Sequence, residues 1–489
     1  MTLSLAVDAG APGTPLTHLW SACAGAGRAP GGLPADWQEQ LRLVRDAAGF
    51  RFVRVPGLPH AGMFVRGRDV EGGVVLDFPN LDDFFDRMLH AGVRPFLELD
   101  FPQGDFADEA CPVVRSDAHT APLPDLEEWS ELIRELAEHC IDRYGLDEVR
   151  SWYFEVGSEP SRGPFLQGSH SECLHLYGVA VRALKKADQG LRVGGRTTGD
   201  RVSGVREFLA FCHGAGLPVD FVSCHSYATD RATDTHEQHA PATTRDLRML
   251  RRAVIESPYP DAEIHLTGSD PGPSPRNLLQ AATLAVKTGL ESIGLVHSLA
   301  PGVSADTVGE PRAGSTAFHG DFGLVTHQGV PKPAFHAYRM LHLLGDELLA
   351  QAEGLVVTRR SATGALAALG YHCPPEAARI RPGARNADDR TERVPATGEP
   401  RRLRVELVRL RPRSAVTIET LDGAHGNAFA AWHAMGAPET PTREQTTLLR
   451  AAGHATRRVI RSVGPDGRFL FDEDIEPWSV VLLHQGREE

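Results

Sequence analysis

The chain is poor in lysine. Only Lys185, Lys186, Lys287 and Lys332 occur, and arginine carries almost all of the positive charge. Acidic residues still outnumber basic ones, 64 to 51, leaving a net charge of −13. That balance argues against non-specific binding to nucleic acid or to anionic membrane surfaces, and says nothing against a neutral ligand. Cysteine is scarce and scattered. The seven residues include no CxxC pair, so neither a disulfide framework nor a zinc site is signalled, and a reduced, cytoplasmic setting is expected. Long apolar runs are missing: no stretch approaches the roughly 20 residues of a membrane span. The first residues, MTLSLAVDAGAPGTPL, lack the basic and apolar segments of a secretory signal. There is no GxGxxG after a strand, no P-loop and no GxSxG elbow, and His236 and His239 have no marked third ligand. No cofactor and no metal are therefore expected, and the expected partner is a small-molecule substrate.

What is present is an ordinary globular composition, 41% hydrophobic and 24% charged, over 489 residues. Apolar strand-like runs recur at His18–Cys23, Arg51–Val55, Arg94–Leu99, Trp152–Val156, Leu191–Gly195, Asp220–Tyr227, Glu263–Thr267 and Ser292–Leu299. Amphipathic helical stretches separate them. The clearest is Asp125–Tyr144, where a capping-box pattern (Asp125, Glu128) precedes Trp129, Leu132, Ile133, Leu136 and Cys140 on one face. About eight such units in about 300 residues give the count and length of a (β/α)8 barrel; a doubly wound open sheet is the alternative, since strand order is invisible in sequence. After about residue 345 the pattern becomes strands without intervening helices, which predicts a β-sandwich. The expected division is residues 16–345 for the barrel and 346–489 for the sandwich, with residues 1–15 a candidate addition to the sandwich. Pro374–Arg402, with no apolar period, reads as a long surface loop.

In such a barrel, chemistry sits where strands end at their C-termini. The stretch Ser151–Arg162 alternates as a strand and then breaks at Gly157 and Pro160, placing Glu159 just past a strand end. The other proposed strand ends carry Pro56, Asp100, His225 with Tyr227, Gly268 to Asp270, and His297. A ring of carboxylates and imidazoles around one mouth is what acid–base chemistry needs.

These residues lie within longer stretches that resemble glycoside hydrolase family 39, the β-D-xylosidase and α-L-iduronidase family. Residues 23–54 resemble its opening strand, helix and second strand. Residues 94–99 and 219–227 are similar to its third and sixth strands, 318–349 to its closing barrel segment, and 421–445 to its β-sandwich. The resemblance implies a (β/α)8 barrel with a C-terminal β-sandwich. It also implies that Glu159, in the run Gly157-Ser158-Glu159-Pro160-Ser161, is the acid/base carboxyl.

Several family positions differ. Ser158 stands where the family has the asparagine that binds the sugar 2-hydroxyl. Gly268, in His265-Leu266-Thr267-Gly268, stands where it has the nucleophilic glutamate. Pro56 replaces a sugar-lining histidine, and His297 aligns with a tryptophan on strand eight. His225 and Tyr227 are retained, and Asp100 stands where a glycine is expected. Retaining hydrolysis needs a second carboxylate about 5 Å from the first, so the missing one changes the expected chemistry. The leading expectation is a repurposed enzyme of the dehydratase or lyase type. In it Glu159 protonates a leaving oxygen, and Asp100, His225, Asp270 or His297 serves as base on a hydroxylated small molecule such as a natural-product intermediate. The alternatives are a β-xylosidase-like glycosidase using an altered mechanism on an unusual glycoside, and a non-catalytic sugar-binding barrel.

Overall fold

The structure, a computed structural model, describes residues 2–26, 35–56, 65–68, 74–99, 126–157, 170–196, 202–226, 244–269, 279–301, 305–306, 318, 323–374 and 398–486. Two short strands come first, β1 (Leu3–Asp8) and β2 (Thr14–Pro15). The chain then alternates: β3 (Cys23–Gly25), α1 (Ala35–Ala48), β4 (Phe52–Val55), a hairpin of β5 (Val65–Arg68) and β6 (Val74–Asp77), α2 (Pro79–His90), β7 (Arg94–Leu99), α3 (Leu126–Tyr144), α4 (Leu146–Arg150) and β8 (Tyr153–Val156). It continues through α5 (His170–Ala187), β9 (Arg192–Arg196), α6 (Val202–Gly214), β10 (Phe221–Ser226), α7 (Thr244–Ile255), β11 (Glu263–Ser269), α8 (Leu279–Glu291), β12 (Ser298–Pro301) and α9 (Pro333–His342).

Strands β3, β4, β7, β8, β9, β10, β11 and β12 form one eight-stranded sheet in chain order, each neighbouring pair parallel, and β12 lies back against β3. This is the (β/α)8 barrel. The runs that build it are apolar because such strands are covered by helices on one side and fill the barrel on the other. Helix α3 shows the complementary pattern. Trp129, Ile133, Leu136, Ala137 and Cys140 are buried at helical spacing, and each large side chain so buried stabilises the fold by about 1.5–3 kcal/mol. Close packing fixes the glycines of β9. A Cβ on Gly194 would stand 2.2 Å from the carbonyl oxygen of Phe221 in β10.

Two expected boundaries move. The first run is a single turn of 3-10 helix at Leu19–Ser21 before β3 begins at Cys23. The eighth run, Ser292–Leu299, is mostly a turn after α8. Ile293 and Leu295 are apolar because they pack on the core, and the strand starts only at Ser298.

The sandwich follows as β13 (Glu347–Ala352), β14 (Leu355–Arg359), β15 (Leu366–Tyr371), β16 (Arg401–Val408), β17 (Ala415–Leu421), α10 (Ala428–Ala434), α11 (Arg443–His454), β18 (Arg457–Ser462), β19 (Phe469–Ile475) and β20 (Val480–His484). One sheet runs β18-β17-β20-β15-β14-β13-β2 and is antiparallel; the other runs β1-β16-β19. Their facing apolar side chains, among them Leu3, Val357, Leu403, Val405, Val416 and Phe471, make a second core. The first two strands therefore pair with sandwich strands, β1 parallel to β16 and β2 antiparallel to β13. The expectation of strands without helices is corrected here. Helices α10 and α11 interrupt the sandwich, and α11 is capped by a Thr442–Gln445 box. Most of the expected 374–402 loop lies outside the described residues, and its end at Arg401 already belongs to β16.

The barrel and sandwich meet along α8 and α9. Arg339 of α9 pairs with Glu419 of β17, and the Thr283 hydroxyl of α8 donates to the carbonyl of Trp478. The segment leading to α9 is anchored by a wholly buried ion pair, Lys332 Nζ to Asp306 Oδ2 at 2.7 Å.

Candidate active site

Alternate residues of each barrel strand point inward, so the interior is built in layers. The lower layer is aromatic: Phe96 stacks on Tyr153 at 4.9 Å, and Phe52, Phe221 and His265 meet these rings edge-on. Polar groups tie it at the N-terminal end of the barrel. The Tyr153 hydroxyl donates to Glu263 Oε2 at 2.7 Å, and Arg192 donates to the Tyr153 oxygen at 3.1 Å. His265 Nε2 lies 3.1 Å from the same Glu263 oxygen. Burial pushes the Glu263 carboxyl up, but the bonds from His265 and Tyr153 with the neighbouring imidazoles outweigh it and hold it at about 2.

One residue pair further along the strands the interior becomes charged. Arg54 of β4 sits between two carboxylates, Nη2 at 2.7 Å from Glu98 Oε2 of β7 and Nε at 2.6 Å from Glu155 Oε2 of β8. Ser223 of β10 donates to Glu155 Oε1, and Thr267 of β11 reaches the same oxygen at 3.5 Å. The side chains of Glu98 and Glu155 are 1% and 0% exposed. Charges buried this deeply persist only when paired and hydrogen-bonded. Cys23, in the same region, is no nucleophile: burial pushes its thiol up to about 12.

Above this layer lies the mouth. Pro56 follows β4 and is half-buried. At the end of β8 the chain turns at Gly157, whose φ of +109° is a region that favours glycine, with its N–H donating to Leu99 O at 3.3 Å. Strand β11 carries a bulge. Cys224 pairs with Leu266 but His225 with Gly268, leaving Thr267 as the extra residue. Bulges are common at barrel rims and beside active sites, where they re-aim side chains. Gly268 and His225 thus lie side by side in register at the C-terminal ends of β11 and β10. Ser158, Glu159, Asp100, Tyr227 and Asp270 lie outside the described residues.

His297 is a correction. It precedes β12 rather than ending it, and its Nδ1 accepts the Ile264 N–H at 2.8 Å beside Glu263 and His265. It belongs to the N-terminal end of the barrel, away from the mouth, because residues 292–297 form the turn that leads into β12 and not the strand itself. Burial, then the neighbouring His265, lowers its proton affinity. The layer of Arg54, Glu98 and Glu155 was missed by sequence reasoning. Its signal is a charged residue at an inward position of an otherwise apolar strand, as in FVRV, RPFLEL and YFEV. Among the described residues no group of three or more His, Cys, Asp or Glu is placed to hold a metal ion, and no helix is long and apolar enough to cross a membrane.

The sequence profile of glycosyl hydrolases family 39 matches residues 3–470. The chain belongs to glycoside hydrolase family 39. Among its relatives in that family, a β-xylosidase of Caldicellulosiruptor saccharolyticus is 30% identical over 96% of this chain and 95% of its own. The human α-L-iduronidase is 25% identical over 92% of this chain and 72% of its own. Among solved structures, the GH39 enzyme of Xanthomonas axonopodis pv. citri superposes with a TM-score of 0.82 at 25% identity, covering 99% of this chain and 98% of that one. A monomeric β-xylosidase of Caulobacter crescentus superposes with a TM-score of 0.82 at 26% identity, covering 99% of each chain. The barrel followed by a sandwich is the architecture shared with these family-39 structures.

Proposed function

We propose that this family-39 chain is a glycosidase acting on an unusual, xyloside-like glycoside by an altered mechanism. The observation that carries the reading is the family match over residues 3–470, with a β-xylosidase relative aligned along nearly the whole chain. Glu159 acts as the general acid that protonates the leaving oxygen. The residue at the retaining nucleophile's position is Gly268, which cannot attack an anomeric carbon, so the bond is broken by water with inversion. Inverting hydrolysis places the acid and a base about 6.5–9.5 Å apart to leave room for that water, and Asp100 or Asp270 supplies the base. His225 and Tyr227 line the sugar site, with Ser158, Pro56 and Gly268 shaping it for a sugar other than plain xylose. A dehydratase or lyase role uses the same proton donor but has no support among the relatives, whose names are those of glycosidases.

The test is a panel of aryl glycosides, β-xylosides first, with the anomer of the released sugar followed by NMR. Release with inversion, lost in Glu159→Gln, is expected. No release from any glycoside, together with water loss from polyhydroxylated compounds, would return the dehydratase role. Sugar affinity with neither reaction and no effect of Glu159→Gln would mark a binding module.

A further inference from the structure

The buried layer beneath the mouth lies close in the chain to the strand ends. Arg54 stands two residues before Pro56, Glu98 two before Asp100, and Ser223 two before His225. Thr267 immediately precedes Gly268, and Glu155 lies four residues before Glu159. In a strand, two residues span about 7 Å and return to the same face. On β4 and β10 the layer is thus the row next below the strand end, while on β8 the chain turns beyond it at Gly157 and on β11 the bulge sets Thr267 directly before Gly268. Among the described residues Glu155 is bonded to three other members: one oxygen accepts from Arg54 Nε, the other from the Ser223 and Thr267 hydroxyls. Through Arg54 it is also joined to Glu98. A single carboxylate thereby connects five strands just where they end.

We infer that Glu155 is a positioning residue: it fixes the relative placement of the strand ends β4, β7, β10 and β11, and with them the residues that face a ligand in the mouth. The bulge gives this its sharpest consequence. A bulged residue is left out of the ladder pairing, and Thr267 is that residue. Its hydroxyl bond to Glu155 therefore acts at the point where neither neighbouring strand holds the backbone in regular pairing, immediately before Gly268. The consequence for ligand binding rests on the proposed glycosidase site; the consequence for the strand ends does not.

Glu155→Gln keeps the side-chain volume and removes the charge. Ser223→Ala is a milder variant that removes one bond. Glu419→Gln serves as control, since Glu419 is an equally buried carboxylate with arginine and hydroxyl partners, but at the sandwich. Two readouts are taken on the full chain: amide hydrogen exchange by mass spectrometry, and the pH profile of binding of a xylose-configured iminosugar. In Glu155→Gln, exchange is expected to rise about ten-fold at residues 53–56, 96–99, 221–226 and 263–269 while the sandwich is unchanged. Ser223→Ala shows the same pattern in smaller degree, and Glu419→Gln does not show it. The iminosugar profile shifts in the Glu155 variant and keeps its wild-type shape in the control. Unchanged exchange at the strand ends, or an equal rise there in Glu419→Gln, overturns the inference. If the wild type binds no iminosugar while the exchange pattern appears, the positioning role stands and the glycosidase reading falls.

Discussion

Arg339 and Glu419 face each other across the boundary between barrel and sandwich, Nη2 to Oε1 at 2.5 Å and Nη1 to Oε2 at 3.1 Å. The arrangement is a parallel fork-to-fork pair, the geometry in which an arginine and a carboxylate bind most strongly. Glu419 also accepts from Thr456 and from Arg458 at 3.0 Å, so its charge is matched by groups from α9, β18 and the turn between α11 and β18.

Because the Glu419 side chain is only 1% exposed, Glu419→Gln leaves two guanidinium groups facing an uncharged amide. Removing one partner of a buried pair costs about 3 kcal/mol or more. Urea unfolding is expected to show at least that loss, with the sandwich released before the barrel. A variant as stable as the wild type would show that the pair holds nothing together.

Acid should weaken the same boundary in two stages. His336 of α9, buried beside Arg339, has its proton affinity lowered to about 4, first by burial and then by that arginine. Its folded value lies below the ordinary 6.5, so between pH 6.5 and 4 the unfolded chain takes up a proton that the folded chain refuses, and stability falls. Burial pushes Glu419 up, but Arg339, Thr456 and Arg458 together outweigh it and hold the carboxyl at about 2. Its contribution is complete above the ordinary 4.5 and is lost as the pH falls toward 2. Melting temperatures measured from pH 7 to 3 should fall throughout. In His336→Gln the loss between pH 6.5 and 4 should shrink, while the loss below 4.5 remains.

On the proposed reading, with Glu159 as proton donor and Gly268 at the nucleophile's position, a carboxylate at residue 268 should turn inversion into retention. Gly268→Glu is expected to raise kcat/KM on an aryl β-xyloside by about 10³-fold or more, since covalent catalysis divides the difficult step in two. The product should retain the anomeric configuration instead of inverting it. No gain, with inversion persisting, would mean that the other substitutions around the mouth prevent a glutamate there from reaching the sugar.

Gly194→Ala tests the packing of the barrel wall. Its new methyl would meet the Phe221 carbonyl oxygen at 2.2 Å and the Phe221 ring at 2.5 Å. Neither backbone can yield without parting β9 from β10, so a loss of about 3 kcal/mol is expected by urea unfolding. A change below about 0.5 kcal/mol, the scale of a neutral surface substitution, would contradict this packing.

The barrel was legible because parallel strands covered on both faces leave mostly apolar runs of the right length, as in Tyr153–Val156. The eighth strand was misplaced for the same reason: Ile293 and Leu295 are apolar for packing rather than for pairing, and the slip carried His297 to the wrong end of the barrel. Strands β18 and β19 carry little signal in the sequence, because RRVIRS is exposed on both faces at a sheet edge and FLFDEDI breaks into acidic residues. Helix α10 hid among glycines, and the capping box of α11 was present in the sequence but unused. At the site, the strand-end positions of Pro56, His225 and Gly268 followed from the pattern of runs. The layer beneath them did not, because a sequence shows that Arg54, Glu98 and Glu155 sit in strands but not that their side chains meet.

The pairing of Leu3 with Leu403 sets an order of events during synthesis. The first strand emerges 400 residues before its partner, a wait of roughly 20–80 s at 5–20 residues per second. Throughout that interval the barrel can assemble, strand by strand, from contacts close in the chain, while β1 and β2 have nothing to pair with. The sandwich closes last and takes in both the earliest and the latest strands. A ribosome stalled after the barrel would therefore present a finished barrel trailing an unpaired, half-apolar β-edge, the kind of species that chaperones bind and that aggregates when they do not.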